Sequence, residues 1–562
     1  MASTHVAVPE GFTLHTENTS HILLSANEAF LNPIQEFNRD TSVACIRIWS
    51  EELHNSKVAH RRLALERKAR RRQSKKLKRE LPDLKNPNLT ADTQVEADAD
   101  TLDITEPVPA RAPGQEPQSK FVILEALSAT GLRSIRYAKE IPHVRYIIAN
   151  DLSPTAIEAM NRNIEFNGLG SSISSNGVEI KVNEGDACTL MYNHRESSQR
   201  VDVVDLDPYG TAAPFIDAAV QCIRDDGLLC VTCTDLTVLA TTNYPEKCFS
   251  NYGGVPIKAE YCHEAALRLV LHSISTSAAR YGRYIQPLLS LSIDFYVRLF
   301  IRIKTSPLEV KNAVTKTSTY WVCPYCQSFY GQTLAKVTEK AHQNGSVNYN
   351  FKLQSGPPVG DKCPECDSLL HMAGPMWSAP IHDPPFVGKV LEHLEANTSL
   401  YGTASRMKGM LTVAKEELDS PFYFTPTRIS KFFHCQTPSF AETTSALLHG
   451  GHKVSRSHAS AGSIKTTASR AELLDIFRSW IKLHPVKGSN IPTTSPAHRL
   501  LEKEPKVEAN FATHPETATH TAKVNLVRYQ ENPTANWGPG TKAISGKGPT
   551  GAAKRKHEEV EE

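Results

Sequence analysis

No run of apolar residues approaches the roughly 20 needed to cross a bilayer, so no membrane partner is expected. No lysine or arginine precedes Arg39, and Met1 to Ser20 therefore reads as neither a secretory signal nor a mitochondrial presequence. A one-sided charge is also missing. Against 63 lysines and arginines stand 60 aspartates and glutamates, a formal net charge of +3, so a polyanion would have to be met by local patches. Glycine is sparse where a dinucleotide would require it: the turn Glu125-Ala-Leu-Ser-Ala-Thr-Gly131 holds a single one. A pyrophosphate needs close approach by several backbone N–H groups, which argues against NAD or FAD.

What is present is a series of acidic strand ends. Phe121 to Leu124 is an apolar strand running into that turn and then into a helix over Leu132 to Lys139, the way an open α/β sheet holds a nucleotide-like ligand. The adenosine and methionine parts of S-adenosylmethionine fit such a turn. Asn150-Asp151 ends a second strand, Val144 to Ala149, ahead of a helix over Pro154 to Asn167; a carboxylate there can accept both ribose hydroxyls. Asp186, after a third strand over Val178 to Val182, can accept from an adenine amino group, and the Ala187 N–H can donate to a ring nitrogen.

Chemistry is expected at the fourth strand end, Asp207-Pro208-Tyr209-Gly210, after Val201 to Leu206. An exocyclic amine on a nucleobase is a poor nucleophile because its lone pair is delocalised into the ring. Asp207 and the Pro208 carbonyl can accept its protons and direct the lone pair to a sulfonium methyl, with proline fixing φ at the corner. Tyr209 can stack on the base, and Gly210 allows a tight turn beside a flat substrate. Alignment and oriented acceptors would supply most of the rate.

These residues resemble the tRNA (guanine(26)-N2)-dimethyltransferases. The resemblance extends through Phe30-Leu-Asn32-Pro33, Asn38-Arg39-Asp40, Gly131-Leu-Arg133-Ser-Ile-Arg136-Tyr137, Thr234-Asp235, Tyr252-Gly253-Gly254, Gly282-Arg283, Asp294-Phe-Tyr296-Val-Arg298, Gly374-Pro375-Met-Trp377 and Ser455-Arg456-Ser-His458, spanning most of residues 17–485. It implies formation of N2-methyl- and then N2,N2-dimethylguanosine in tRNA. It also implies that Arg39 and Arg133 contact the cofactor, Arg39 at the methionine carboxylate, beside Asp151, Asp186 and Ala187. Glu125 stands where aspartate is frequent and is expected to reach the cofactor amine through its longer arm; Leu31 stands where a ring is often found. Two other readings compete. A DNA adenine or cytosine amino-methyltransferase would favour Asp/Asn-Pro-Pro-Tyr/Phe, whereas this loop lacks the second proline and has Gly210, and a catalytically inactive RNA-binding protein would not need Arg39, Asp151, Asp186 and Asp207 intact.

Cys323-Pro-Tyr-Cys326 and Cys363-Pro-Glu-Cys366, 36 residues apart, have the spacing of a tetrahedral structural zinc site. Four thiolates leave no open position for catalysis. The other eight cysteines read as reduced.

At 562 residues the chain exceeds one hydrophobic core. The reading is an α/β, Rossmann-like, S-adenosylmethionine-dependent methyltransferase domain over residues 1–309, interrupted at about 50–118, then a zinc-containing α+β tRNA-binding domain over 310–488, and a mostly disordered tail over 489–562. The interruption comprises a helix from about Ser50, with eleven basic and two acidic residues over Arg61 to Glu80, and a Pro- and acid-rich stretch, Leu81 to Gln118, expected to be disordered. The basic run suits a polyanion or nuclear import, as does Lys554-Arg555-Lys556, and a nuclear location is expected. Gln343 to Pro358 reads as a polar loop. Helices over Val387 to Ala396, Thr403 to Glu417, Ser439 to Leu448 and Ala471 to Leu483 suggest a winged-helix-like RNA platform, with Arg456, His458 and Lys465 on phosphates. No feature calls for an obligate protein partner.

Overall fold

The computed structural model describes residues 8–25, 31–80, 120–170, 177–343, 345–486 and 491–517, without the side chains of residues 33 and 72–80. Phe30, the stretch Leu81 to Gln118, Gly488 and Lys554-Arg555-Lys556 lie outside them. The chain divides into two units, Met1–Ile48 with Phe121–Glu562, and Trp49–Lys120. The described part of the second unit is the continuation of a single helix, Glu36–Glu80 (α1), exposed over residues 59–71. That helix begins well before Ser50. Its opening turns carry Phe37, Val43, Ile46 and Ile48, all buried, so an apolar stripe there propagates into the charged run that composition alone reveals.

The first unit opens with a hairpin, Phe12–Glu17 (β1) and Ser20–Ser25 (β2), and is then built on a seven-stranded sheet. Its parallel strands are Phe121–Glu125 (β3), Val144–Asp151 (β4), Glu179–Glu184 (β5), Val201–Leu206 (β6) and Ile223–Cys233 (β7). Every residue of β3 and β6 is buried, as expected for central strands covered on both faces. Connecting helices are Leu132–Glu140 (α2), Pro154–Phe166 (α3), Ala187–Asn193 (α4), Ala213–Cys222 (α5), then Leu236–Leu239 (α6), Pro245–Tyr252 (α7) and Cys262–Ala279 (α8). Arg283–Ile293 (β8) and Tyr296–Thr305 (β9) close the sheet, with β9 antiparallel to β7. The strand order β5-β4-β3-β6-β7-β9-β8 is doubly wound and reverses between β3 and β6. Ligands bind such sheets outside the carboxyl ends at that point.

After Pro307–Asn312 (α9), a three-stranded sheet combines Thr317–Val322 (β10), Phe329–Thr333 (β11) and His371–Trp377 (β14) in the order β11-β10-β14. Between β11 and β14 projects a two-stranded ribbon, Ala335–Ala341 (β12) and Val347–Leu353 (β13). The expected polar loop from Gln343 to Pro358 therefore contains the strand Val347–Leu353, because Val347, Tyr349, Phe351 and Leu353 alternate with polar residues at the strand period. Tyr320, Val322, Met376 and Trp377 pack into the same core as α8 and the large sheet. Gly254 sits against this junction, where an added Cβ would lie 2.4 Å from the Pro375 carbonyl oxygen. Two motifs remote in sequence thus meet backbone to backbone.

The remaining helices are Pro384–Ala396 (α10), Ala404–Glu416 (α11), Pro426–Phe433 (α12), Phe440–His449 (α13), Arg470–Leu483 (α14) and Pro496–Leu501 (α15), with a short pair, Val454–Arg456 (β15) and Ile464–Thr466 (β16), before α14. Capping boxes from Ser439 to Glu442 and from Ser469 to Glu472 start α13 and α14. The tail is ordered further than expected: Leu500 is fully buried beside Phe477, and Arg478 Nε donates to its carbonyl at 3.1 Å. Nor do His458 and Lys465 face a phosphate. His458 Nδ1 lies 2.6 Å from Glu417 Oε2, its Nε2 accepts from Ser292 N at 3.1 Å, and Lys465 is held between Glu417 and Glu264 at 3.1 and 3.3 Å. Both side chains are fully buried, because two buried carboxylates require cationic or donor partners.

Candidate active site

Strand register gathers the expected ligand-holding residues at one sheet edge. Glu125 pairs with Ala149 and Asp205, and Asp151 with Glu184, so the turn after β3 and the ends of β4, β5 and β6 are neighbours. Gly131 caps α2 with φ +79°, and an added Cβ would lie 2.8 Å from Met160 Cγ; only glycine satisfies both conditions. Asp151 braces the turn, accepting from Ala129 N at 2.9 Å through Oδ2 and from Ser153 N at 3.0 Å through Oδ1. Asp186 caps α4 by accepting from Thr189 N at 2.6 Å, and Ala187 is the first residue of that helix. Each carboxylate oxygen offers a second lone pair.

Arg39 and Glu125 are placed otherwise than expected. The Arg39 guanidinium forks onto Glu17 of β1, with Nε at 2.8 and 3.0 Å from its two oxygens. Arg136 also reaches Glu17, at 3.1 Å, and Asp40 at 2.7 Å. Burial opposes ionisation of Glu17, but the His15 hydrogen bond and the Arg39 charge prevail and hold its carboxyl well below the usual range. Glu125 points into the interior, where Ser134 Oγ meets its Oε2 and Arg133 Nε lies 3.7 Å from Oε1. Burial pushes it up to about 8, against the pull of Arg133. Charge balance explains this: Asp205 and Asp207 already match Arg133 and Arg298, and a third carboxylate would be uncompensated.

Arg133 joins the turn after β3 to the expected catalytic loop. Its Nη2 donates to Asp207 Oδ2, its Nη1 to Ser42 Oγ at 3.1 Å, and Asp205 lies 3.6 Å away. Behind it, Asp205 accepts from Arg298 at 2.8 Å and from the Tyr137 hydroxyl at 2.5 Å. Burial raises the Asp205 pKa, but Arg298 and Arg133 more than offset this and lower it. Among the described residues Asp207 Oδ1 has no hydrogen-bond partner, and the Asp207 side chain is 16% exposed. Pro208 beside it is buried and Tyr209 is 49% exposed. The site thus offers one anchored carboxylate with a free oxygen and one ring at the surface, an arrangement able to accept from an amine on a flat base.

A clamp fixes this loop from the other side. Gly210, at φ +82°, exchanges two bonds with Thr234: its N donates to Thr234 Oγ1, and Thr234 N donates to its carbonyl, both at 2.8 Å. The Tyr252 hydroxyl sits 2.7 Å from Thr211 Oγ1 and donates to Asp235 at 2.8 Å. Burial raises the Asp235 pKa despite that bond.

The model of the N2,N2-dimethylguanosine tRNA methyltransferase family matches residues 11–478. The chain belongs to that family. It is 44% identical over 534 residues to the tRNA (guanine(26)-N(2))-dimethyltransferase of Schizosaccharomyces pombe, covering 94% of this chain and 92% of that protein. Against the human tRNA (guanine(26)-N(2))-dimethyltransferase the identity is 40% over 545 residues, covering 95% and 78%. The fold is similar to that of Trm1 from Pyrococcus horikoshii in complex with S-adenosyl-L-methionine, with a TM-score of 0.58, 24% identity and coverage of 82% of this chain and 99% of that one.

In this family member the four knuckle cysteines converge. Cys323 Sγ lies 3.4 Å from Cys366 Sγ, and Cys326 Sγ lies 3.6 and 3.7 Å from those of Cys363 and Cys366. Disulfide sulfurs would be about 2.05 Å apart; these are thiols grouped as ligands around a point that can hold a metal ion. The two knuckles repeat each other. Gln327 and Asp367 both have positive φ, and Cys323 N and Cys363 N donate to the carbonyls of Ser328 and Ser368 at 2.9 and 2.8 Å. Sequence reasoning missed Asp205, Asp235 and Glu17 as supports. Asp205 carried a signal, since an acid inside an apolar strand needs a buried partner; Glu17, on a half-exposed hairpin, carried none.

Proposed function

We propose that this chain transfers methyl groups from S-adenosylmethionine to the exocyclic N2 amine of guanine 26 in tRNA, giving N2-methyl- and then N2,N2-dimethylguanosine. The observation that carries it is the anchored carboxylate of Asp207 at the switch point of a chain that belongs to this family. Gly131 keeps the turn after β3 open to the ligand, Asp151 accepts from its ribose, and Asp186 with the Ala187 N–H reads its adenine. When bound, the cofactor supplies the electrophilic methyl. Asp207 Oδ1 accepts one amine proton and the Pro208 carbonyl is suited to the other, while Tyr209 stacks on the base. After the first transfer one N–H remains, and a single acceptor suffices for the second. The ammonium formed is acidic enough to lose its proton to Asp207 or water.

Zinc is the metal proposed for the four thiolates. A tetrahedral site with bonds of about 2.3 Å separates its sulfurs by about 3.8 Å, close to the spacings of 3.4–3.7 Å here. The metal would hold residues 310–488 in shape for tRNA binding. The basic run Arg61 to Glu80 supports a nuclear location. Transcripts of tRNA carrying guanine or adenine at position 26, and duplex DNA, test the main reading. Nucleoside mass spectrometry should find both methylated guanosines in the guanine transcript alone. Equal labelling of the adenine transcript, or labelling of DNA only, would overturn it.

A further inference from the structure

The ribbon β12–β13 has two unlike faces. The register pairs Lys336 with Lys352, Thr338 with Asn350 and Lys340 with Asn348, and directly paired residues share a face. One face is therefore basic and amide-rich, with all six residues exposed. No acid stands on it: Glu339 pairs with Tyr349 on the other face. None of the three lysines has an ion-pair partner among the described residues. Lys336 opposite Lys352 places like charges in direct register, which destabilises a ribbon unless an anion lies across them. The root, by contrast, is fixed: Leu334 N donates to Thr317 O at 3.0 Å, and Gln332 Nε2 donates to Ser355 O at 3.0 Å. It springs from the sheet that carries the cysteine knuckles, between the two Cys pairs.

The geometry points to this face as a binding surface for the backbone of the tRNA, distinct from the catalytic loop. The inference rests on the tRNA reading above and names where the body of that substrate is held. A seven-residue strand at about 3.4 Å per residue is about 20 Å long, enough to lie along the wide, shallow minor groove of an A-form arm. Lys336, Lys340 and Lys352 neutralise phosphates. Thr338, Asn348 and Asn350 donate to and accept from 2′-hydroxyls, the groups that distinguish RNA from DNA. Such interactions read shape, so they serve different tRNAs alike. The opposite face, with Val337, Tyr349 and Phe351, carries no positive charge and is the internal control.

The test uses the full-length protein with K336Q, K340Q and K352Q combined. Gln keeps each aliphatic stem and removes the opposed charges, so the melting temperature should not fall. Affinity for the tRNA transcript at 0.15 M salt should drop about tenfold or more. The slope of log K against log salt should become shallower by about two to three, since each phosphate that a lysine no longer neutralises takes away a little under one. Turnover at saturating tRNA and affinity for S-adenosylmethionine should stay within twofold of wild type. In the unmodified protein, bound tRNA should protect Lys336 and Lys352 from acetylation. Unchanged affinity and slope, absent protection, or an equal loss in Y349S would each overturn the inference. A wild-type protein that fails to methylate tRNA would instead sink the underlying reading, independently of the lysines.

Discussion

Replacing Asp207 by asparagine isolates what its charge and acceptors contribute, because shape and backbone are kept. In the protein one oxygen, Oδ2, is taken by Arg133, so only Oδ1 is available to an incoming amine. An amide has one acceptor and one NH2. If its oxygen meets Arg133, its NH2 faces the substrate amine, donor against donor; if the NH2 meets Arg133, the anchor is lost. Either way an oriented acceptor disappears at the point where positive charge develops. Loss of one such group costs about 2.7–4 kcal/mol of transition-state stabilisation, and at 1.36 kcal/mol per decade this is roughly 100-fold to 1000-fold in turnover. Cofactor affinity should change little, since Asp151 and Asp186 do not contact Asp207, and Arg133, which does, keeps its bond to Ser42 and its place beside Asp205. Single-turnover methyl transfer to a tRNA transcript, with calorimetry of S-adenosylmethionine binding, reads the two effects apart. Asp207→Asn retaining more than a tenth of wild-type turnover, or losing cofactor binding as steeply as turnover, would refute the assignment.

Asp151→Ala should act in the opposite sense, weakening S-adenosylmethionine binding by tenfold or more and loosening the turn through loss of the Ala129 N–H partner; unchanged calorimetric affinity would remove it from the ribose site. Cys363→Ser should abolish stoichiometric zinc and lower the melting temperature, since a structural metal contributes folding free energy; elemental analysis showing no zinc in folded, active wild type would refute the site. Tyr252→Phe removes the donor to half-buried Asp235, with an expected loss of about 1–3 kcal/mol of stability and a fall in turnover at saturating cofactor that denaturant titration and initial rates would show. Glu125 is protonated in the folded protein up to about pH 8, against an ordinary value near 4.5, so the native state binds the extra proton between those limits. Stability should decline as pH rises through that window, and Glu125→Gln should flatten the decline in denaturant midpoints measured from pH 5 to 8; an unaltered slope would exclude it as the source.

The strand-turn-helix units, the position of the acids at their ends and the paired Cys-x-x-Cys knuckles were legible in the chain because each is written within a few consecutive residues. Period-2 and period-3.6 apolar patterns report which face is buried, and a glycine or proline at a turn acts locally. The family motifs likewise marked which residues cluster. What they could not tell is which charge meets which. Arg39 was a free fork in the sequence but is occupied by Glu17 of a preceding hairpin. Arg133 looked like a cofactor ligand, and the strand order, by setting β3 beside β6, turns it onto Asp207. His458 and Lys465 looked like phosphate ligands until the packing of the last helices against the large sheet brought Glu417 and Glu264 to them. Ionic partners carry no sequence period and no fixed spacing. Only tertiary topology decides which remote charges are buried together, and burial forces them to pair.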